Sequence, residues 1–253
     1  MLGSLSNKGA PFIFPSEVTS DVYRSFVGSK DLITSRVLIK QTDLLISGLK
    51  DLGQEAEMLA RKYRRQIEDY IETHPYFARA MSPVPRDPFA PRIINTMIES
   101  SARANVGPMA CVAGAIAEYV GLGLLPYSQE VIVENGGDSF VFSRKKKEFL
   151  LLAETCELAG LRIALQPSDR PIGVCTSSGK SGHSLSLGEA DAVMAFGPSA
   201  SLADAAATAI ANIVKDPSHV KEGIRISQEI GLFGVVILIG DHMGAWGEIE
   251  FLG

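Results

Sequence analysis

One carboxylate and one hydroxyl lie four residues apart in a run of small residues near the C-terminal end of the chain. The run from Ala190 to Ala209 has the pattern of an apolar strand followed by an alanine-rich helix. In such a helix Asp204 and Thr208 share one face, and the surrounding alanines leave that face open to a close neighbour. A carboxylate beside a hydroxyl suits a hard cation that bridges to phosphate, so the pair is a candidate metal site.

A structural interpretation of the same residues stays open. Ser201 and Asp204 have the spacing of a capping box, with Asp in place of the commoner Glu, so Asp204 would satisfy the first turn of the helix and its dipole. Thr208 would then bond back to a carbonyl one turn earlier. Periodicity alone favours this interpretation.

A second candidate is Glu118, the one charge in a run of small and apolar residues. The small residues recur at helical spacing, at Ala110, Gly114, Ala117 and Gly121. Such a stripe lets a second backbone or a flat ligand approach closely. Tight helix packing is the alternative that spacing alone favours. Because an isolated charge is rarely buried, we expect Glu118 either at an exposed helix end or paired within a site.

The segment from Asn135 to Asp138, Asn-Gly-Gly-Asp, lies between two apolar runs. Asn-Gly is the strongest short hairpin signal, so the segment predicts a tight turn between two strands. The glycines could also expose backbone amides to a ligand, with Asn135 and Asp138 as polar recognition groups. Both interpretations can hold together.

The loop from Thr176 to His183 contains Gly-Lys-Ser and invites comparison with a P-loop. The spacing does not fit, because a P-loop has four residues between its glycines, whereas five separate Gly173 from Gly179. An anion-binding loop is still predicted, with a solvated hairpin turn as the alternative. Its polar groups are hydroxyls, glycine amides and one ammonium, at Thr176, Ser177, Ser178, Gly179, Lys180 and Gly182.

Cys175 and His183 have residue types that could form a thiol nucleophile and its base. Cys175 lies within an apolar strand pattern, and no third residue can be named to orient the histidine. We therefore discount this dyad and keep His183 as a candidate polar site residue.

Composition bounds the partners and the compartment. The 253 residues carry 24 Lys and Arg against 29 Asp and Glu, a net charge of -5, and no tract is basic enough to follow a nucleic acid backbone. Three cysteines without a CxxC pair are typical of reduced, packed thiols and argue against a cysteine metal site. With no signal sequence and no apolar run of membrane-spanning character, we expect a cytoplasmic protein that binds neither membrane nor nucleic acid.

Helices and strands alternate in blocks along the chain. Strands are predicted at Phe12–Phe14, Val22–Val27, Thr34–Lys40, Leu44–Ser47, Glu130–Glu134, Ser139–Ser143, Phe149–Leu152, Leu161–Leu165, Ile172–Thr176, Ala190–Phe196, Phe233–Ile239 and Trp246–Leu252. Helices are predicted at Gln54–Thr73, Arg92–Ala104, Pro108–Gly121, Ser201–Val214 and His219–Ile230, with a proline-rich loop over 74–91. The order strands, helices, strands occurs twice, which predicts a duplicated α+β unit with helices packed on antiparallel sheets.

Four segments of the chain together resemble the ApbE superfamily, and the resemblance is closest to a short cytoplasmic branch of it. They are Gly114–Glu118, Asn135–Asp138, Thr176–His183 and Gly197–Thr208. The founding members of that superfamily are FAD:protein FMN transferases, magnesium-dependent enzymes that attach FMN to a threonine or serine of a target protein. The last segment is the most specific of the four.

The resemblance implies a single domain with a duplicated T-fold-like architecture, formed of two closely packed halves at roughly 1–145 and 146–253. It implies Mg²⁺ held by the carboxylate of Asp204, the hydroxyl of Thr208 and the backbone carbonyl of Ala115, with Asp204 and His183 as catalytic residues. A flavin nucleotide, FAD or FMN, would be lined by Glu118, Asn135, Gly136, Gly137, Asp138, Thr176, Ser177, Ser178, Gly179 and His183. Magnesium would offset charge on departing AMP while a hydroxyl attacks the distal phosphorus.

The sequence also departs from the family pattern. The Met-Gly-Thr strand and the Ser-Arg-Phe/Asp-Pro segment that contact flavin are absent between Met1 and Arg103, and Ser184 to Gly188 stands where an Asp-Pro pair is common. The function predicted from the resemblance is magnesium-dependent binding of a flavin nucleotide or similar phosphate-bearing small molecule, with FMN transfer to an unidentified protein or FAD hydrolysis. The alternatives are a non-catalytic module for another flat heterocycle, such as a pterin, and a homo-oligomeric scaffold assembled through the alanine-rich helices.

Overall fold

A computed structural model describes residues 31–151, 160–177 and 188–252. These residues form three layers: a layer of helices, a central sheet of eight strands, and a second sheet of three strands. Every pairing in both sheets is antiparallel. The predicted α+β architecture of antiparallel sheets with packed helices is confirmed.

The helices and strands of the described residues follow in chain order. The α-helices are α1 (Gly53–Thr73), α2 (Arg92–Ala104), α3 (Val112–Leu124), α4 (Ala200–Ile213) and α5 (Val220–Ile230), with short 3₁₀ turns at Pro108–Cys111 and Pro217–His219. The strands are β1 (Ile33–Ile39), β2 (Thr42–Gly48), β3 (Val131–Asn135), β4 (Asp138–Phe142), β5 (Lys147–Leu151), β6 (Leu161–Leu165), β7 (Ile172–Ser177), β8 (Ala192–Gly197), β9 (Gly234–Ile239), β10 (His242–Gly247) and β11 (Glu250–Leu252).

The strand order of the central sheet repeats one pattern. Its order is β1-β2-β3-β4-β7-β8-β9-β10, and the small sheet has the order β11-β6-β5. Helices α1 to α3 connect β2 to β3, and helices α4 and α5 connect β8 to β9. Each side of the central sheet is therefore two strands, helices, then two strands, which is the duplicated order that the sequence predicts. A division of the chain near residue 145 stays a prediction; that position lies between β4 and β5.

The two faces of the central sheet pack against different layers. Val131, Val133 and Ala195 face the helices, whereas Ile132 and Met194 face the small sheet. Side chains alternate between faces along a strand, and here both faces are covered. This explains why the central strands have continuous apolar runs rather than a clean polar alternation.

Helix α4 is buried along most of its length. Residues Ala200 to Ala211 are all buried, between the sheet on one side and α2 and α3 on the other. A helix of mostly small apolar residues is typical of such a position, and alanine keeps it thin enough to fit. The alanine-rich surface of α4 is therefore used within the chain, which argues against the predicted scaffold in which this helix joins two copies.

Two predicted elements differ from the structure. The prediction of one strand over Trp246–Leu252 is wrong: β10 ends at Gly247 and β11 begins at Glu250 in the other sheet. Gly247 has a φ of 106°, and a Cβ there would lie 2.3 Å from the carbonyl oxygen of Phe233, so the chain turns away at a position that needs glycine. The predicted helix from Pro108 begins as a 3₁₀ turn and becomes α-helical at Val112.

The predicted strands Phe12–Phe14 and Val22–Val27 lie outside the described residues. The predicted loop over 74–91 occupies the connection between α1 and α2. In the part of the chain that the structure describes, no single helix has both the length and the apolarity to span a bilayer. The pair Arg92–Ala104 and Pro108–Leu124 meets the criteria of length and composition only jointly, across a bend of 102°.

Candidate functional site

Asp204 lies inside α4 and contacts the first turn of α3. Its Oδ2 accepts a 2.8 Å hydrogen bond from the backbone N–H of Gly114, the third residue of α3. The capping-box interpretation of Asp204 is therefore wrong. The residue that caps α4 is Ser199, whose hydroxyl accepts a 3.2 Å hydrogen bond from the N–H of Leu202. Asp204 instead satisfies one of the open amides at the start of another helix.

Glu118 makes the reciprocal contact from α3 to α4. Its Oε2 accepts hydrogen bonds from the backbone N–H of Ser201 at 3.0 Å and from the Ser201 hydroxyl at 2.6 Å. Helices α3 and α4 thus each supply a carboxylate to the N-terminal turn of the other, where the helix dipole favours negative charge. Glu118 is therefore paired, with Ser201, and does not lie alone at an exposed helix end. Its predicted contact with a cofactor stays a prediction.

The stripe of small residues on α3 is filled by the protein itself. A Cβ on Gly114 would lie 2.4 Å from the carbonyl oxygen of Ala200 and 2.8 Å from the Cβ of Asp204. A Cβ on Gly121 would lie 2.2 Å from the ring of Phe140. The structural alternative, tight packing, therefore explains the stripe, and the close approach at Gly114 is what lets Asp204 reach the amide.

Thr208 lies one turn after Asp204 and contacts the 3₁₀ turn that precedes α3. Its hydroxyl donates a long, 3.5 Å hydrogen bond to the carbonyl of Ala110 rather than to its own helix. Ala115, the third predicted metal ligand, is buried and directly follows Gly114. The Asp204 and Thr208 face of α4 is thus directed at the start of α3, where Ala115 also lies.

The turn from Asn135 to Asp138 is the predicted tight hairpin. Asn135 pairs with Asp138, and the two central residues, Gly136 and Gly137, have φ of 64° and 104°, as a two-residue hairpin of mirror-image type requires. The Asn135 side-chain amide donates to the carbonyl of Ala113 at 3.0 Å. The N–H of Gly137 donates to Oε1 of Glu134 at 2.7 Å, so this amide is already satisfied within the turn.

The end of β7 places its polar residues on alternate faces of the sheet. Cys175 pairs with Asp138 across the two strands and packs toward the helices. Ser177 pairs with Val193 and so shares that face, whereas Thr176 pairs with Met194 on the face of the small sheet. The structure therefore brings Ser177, and not Thr176, to the side of Asp204. The remaining predicted loop residues, Ser178, Gly179 and His183, lie outside the described residues.

Buried polar atoms at the hairpin turn and at the end of β7 have no hydrogen-bond partner among the described residues. They are Oδ1 of Asp138, the hydroxyl of Ser177 and the hydroxyl of Thr176. Asp138 and Ser177 are only 8% and 5% exposed. Because buried polar groups in native proteins are nearly always paired, such atoms are where a ligand or ion is expected.

Burial raises the pKa values of both carboxyl groups in this cluster, and repulsion adds to the rise at Asp138. Burial raises the pKa of Asp204 to about 7, although the Gly114 hydrogen bond acts in the opposite direction. Burial, and then the negative charge of Asp204, raise the pKa of Asp138 well above its ordinary value. A cation between the two carboxylates would favour their charged forms and remove the repulsion.

The thiol of Cys175 has no properties of a nucleophile. Its pKa is raised well above the ordinary value by burial and by the charges of Asp138 and Asp204, and its Sγ–H donates to the carbonyl of Ala200 at 3.2 Å. Reactive cysteines have lowered pKa values, so the raised pKa of Cys175 is a further reason to discount a Cys175–His183 dyad. Cys111 is buried with a raised pKa for the same reasons.

The donor set suits a hard cation. Carboxylate oxygens at Asp204 and Asp138 and a hydroxyl at Thr208 are the ligand types that Mg²⁺ prefers, with water completing its six positions. Within the described residues no three His, Cys, Asp or Glu side chains are grouped closely enough to hold a metal by themselves. A cation here would therefore depend on hydroxyl, carbonyl, water or substrate oxygens as well.

Sequence reasoning missed the partners of the two carboxylates. Neither the Gly114 amide nor the first turn of α4 is marked by a local motif, since each contact joins residues 83 or more positions apart. The glycine at position 114 was the available signal, because a helix interior without a side chain permits close approach of a second backbone.

Comparison with known sequences gives a family match over most of the chain. A sequence model of the family described as AbpE bacteria matches residues 24–228. A UPF0280 protein of Methanocaldococcus jannaschii is 37% identical over 226 residues, which cover 86% of this chain and 91% of that protein. A UPF0280 protein of Methanothermobacter thermautotrophicus is 34% identical over 247 residues, covering 95% and 94%.

Solved structures with the same fold include two ApbE proteins. The flavinyl transferase ApbE of Pseudomonas stutzeri superposes with a TM-score of 0.53 at 13% identity, over 87% of this chain and 95% of that one. The ApbE protein of Thermotoga maritima gives a TM-score of 0.56 at 13% identity, over 86% and 97%. At such identities the likeness concerns the fold.

Proposed function

Because this chain belongs to the family described as AbpE bacteria, within the ApbE superfamily, we propose that it binds a flavin nucleotide or a similar phosphate-bearing small molecule together with Mg²⁺. The proposed cation ligands are Asp204, Thr208 and the carbonyl of Ala115. The nucleotide would lie against the Asn135–Asp138 turn and the loop from Thr176 to His183. The reaction proposed is cleavage of the FAD pyrophosphate, with FMN passed to water or to a hydroxyl of a protein.

The observation that carries the proposal is the buried carboxylate of Asp204 beside the unpartnered Oδ1 of Asp138. One oxygen of Asp204 is fixed by the Gly114 amide, which orients the carboxylate, and the second carboxylate lies close enough for its pKa to respond to the first. Burying two carboxylates that repel each other is costly without a compensating cation.

The side chains have separate proposed tasks. Asp204 and Thr208 would orient the cation from α4, and the Asn135 side chain anchors the hairpin turn to the first turn of α3 through Ala113. When bound, Mg²⁺ would neutralise charge on the pyrophosphate and on the departing AMP. In hydrolysis, a water oxygen bonds to the phosphorus on the flavin side as the bond from that phosphorus to the bridging oxygen breaks. The bridging oxygen leaves with AMP, and FMN is the other product.

The test is incubation of the purified protein with FAD and MgCl₂, with AMP and FMN separated by chromatography. We expect release of both products in equal amounts, and its loss in Asp204→Asn and in EDTA. The control is Asp169→Asn, because the Asp169 side chain is 89% exposed and lies in a surface ion pair with Arg144. Flavin binding by fluorescence without product release would favour the non-catalytic module, and absence of both would overturn the proposal.

A further inference from the structure

We propose that Asp138 is a direct ligand of the cation, through its Oδ1, so that the hairpin turn supplies one wall of the cation site and α4 the other. The inference rests on the proposed function, because it concerns the same cation. It assigns to Asp138 a role beyond lining the nucleotide, and it makes the site a pair of facing carboxylates contributed by the sheet and by the helix layer.

The first line of support is the position of Asp138 relative to α4. Asp138 pairs with Cys175 across β4 and β7, which places their Cβ atoms about 5 Å apart on one face of the sheet. The thiol of Cys175 reaches the carbonyl of Ala200 at 3.2 Å. Ala200 lies one helical turn before Asp204 and so on the same face of α4.

A second path of contacts joins Asp138 to Asp204 from the other side. Asn135, the hairpin partner of Asp138, donates to the carbonyl of Ala113. The next residue, Gly114, donates its amide to Asp204. The two carboxylates therefore approach the same first turn of α3 from two directions, and neither path depends on the other.

The unpartnered atoms point to an occupant of this space. Oδ1 of Asp138 is buried and has no hydrogen-bond partner in the described part of the chain, and the same is true of the hydroxyl of Ser177. Cross-strand pairing puts Ser177 on the Asp138 face, two positions beyond Cys175. A carboxylate oxygen and a hydroxyl on one sheet face offer two acceptors and a single proton, which suits a cation with its bound water better than an anion.

A structural explanation would have Asp138 share a proton with Asp204 and contribute no ligand to the cation. Under that explanation, removing the charge of Asp138 would relieve repulsion and leave the affinity for metal unchanged. Under the proposal it would remove a ligand. The two explanations therefore predict different results for the same substitution.

The experiment is calorimetric titration of the protein with MgCl₂ alone, without nucleotide. We expect Asp138→Asn to weaken Mg²⁺ binding by at least about tenfold, since even outer partners of metal ligands contribute that much. The matched control is Ser139→Ala, which alters a buried hydroxyl on the next residue of β4 whose partner Val174 packs on the opposite face. It should bind Mg²⁺ as the wild type does.

The outcomes separate this inference from the proposed function. If Asp204→Asn loses Mg²⁺ binding and Asp138→Asn keeps it, the inference is overturned and the proposed function stands. If the wild type binds no Mg²⁺, the cation is excluded and both are overturned. Weakened binding in both variants, with Ser139→Ala unaffected, supports the inference.

A measurement on the wild type keeps the inference testable if Asp138→Asn does not fold. Crystals soaked in MnCl₂ locate the cation by its anomalous signal. A site whose first coordination sphere includes Oδ1 of Asp138, at about 2.2 Å or less, supports the proposal. A site held by Asp204 with Asp138 outside that sphere overturns it.

Discussion

The amide of Gly114 donates a 2.8 Å hydrogen bond to Oδ2 of Asp204, and this bond joins the first turn of α3 to the interior of α4. It gives one carboxylate two separable properties. One oxygen holds two helices together, and the negative charge is what a cation would bind. Asparagine keeps an oxygen that can accept the Gly114 hydrogen bond but removes the charge, so Asp204→Asn separates the two properties.

The stability of the metal-free protein should fall as pH rises toward neutrality. Burial raises the pKa of Asp204 from 3.8 to about 7. Between these values the unfolded chain loses this proton while the folded protein retains it, so the free energy of unfolding decreases with pH in that window and levels off above it. We expect this decrease, measured by urea denaturation in EDTA between about pH 5 and pH 7, to be larger in the wild type than in Asp204→Asn. If the free energies of unfolding of the two proteins changed with pH in parallel, Asp204 would not have the raised pKa.

Magnesium should reverse this loss of stability. A cation that binds only the folded protein raises the free energy of unfolding in proportion to the logarithm of its concentration over Kd. At pH 7.5 we expect MgCl₂ to raise the melting temperature of the wild type and of Asp169→Asn, but not that of Asp204→Asn. Equal shifts in all three proteins would indicate a general salt effect.

Glu118 should matter for stability even without any ligand. Its Oε2 accepts two hydrogen bonds from Ser201, which is fully buried at the start of α4. Glu118→Ala leaves that amide without its acceptor, and we expect a cost of about 1–3 kcal/mol in the free energy of unfolding. Glu118→Gln retains an oxygen acceptor and should cost less.

The control for Glu118 is Glu99→Ala, since the Glu99 side chain is 59% exposed. A substitution of this kind should change stability by less than about 0.5 kcal/mol. If Glu118→Ala costs no more than Glu99→Ala, the contact with Ser201 contributes nothing to the packing of α3 on α4.

A methyl group at position 114 should separate α3 from α4. The added Cβ would lie 2.4 Å from a backbone oxygen, of Ala200, which cannot rotate away. We expect Gly114→Ala to destabilise the protein by about 1–3 kcal/mol in chemical denaturation. Gly123→Ala is the matched control on the same helix, because its added Cβ meets the flexible side-chain end of Leu59 at 2.7 Å. A cost at position 123 equal to that at 114 would show that the close approach to the Ala200 carbonyl is not what makes position 114 sensitive.

The strands and helices could be predicted from the spacing of apolar residues, because burial of one face imposes that spacing. Helix Arg92–Ala104 and strand Leu161–Leu165 begin and end as the sequence predicts, since their apolar spacing matches one structural period. The reciprocal contacts of Asp204 and Glu118 could not be predicted in this way. Spacing along a helix identifies which residues share a face, but not which amide of a distant helix that face will meet.

The end of β7 shows, for a single residue, the same limit of what the sequence alone can predict. Hydroxyls at Thr176 and Ser177 look equivalent in the sequence, yet a strand directs neighbouring side chains to opposite faces. Only the register of β7 against β8 decides which one faces the helices. This register depends on long-range pairing and is not encoded in the composition of the loop.

Ser177 and Thr176 should therefore differ in their effect on ligand binding. Ser177 shares the sheet face of Cys175 and Asp138, whereas Thr176 faces the small sheet with Met194. In titrations of FMN with MgCl₂ followed by flavin fluorescence, we expect Ser177→Ala to weaken binding by about five- to tenfold, the loss of one hydrogen bond of about 1 kcal/mol. Thr176→Ala should weaken it less, because its hydroxyl is directed away from the carboxylates. The opposite order would mean that the nucleotide approaches from the small sheet, and the assignment of the site to the helix face would then be wrong.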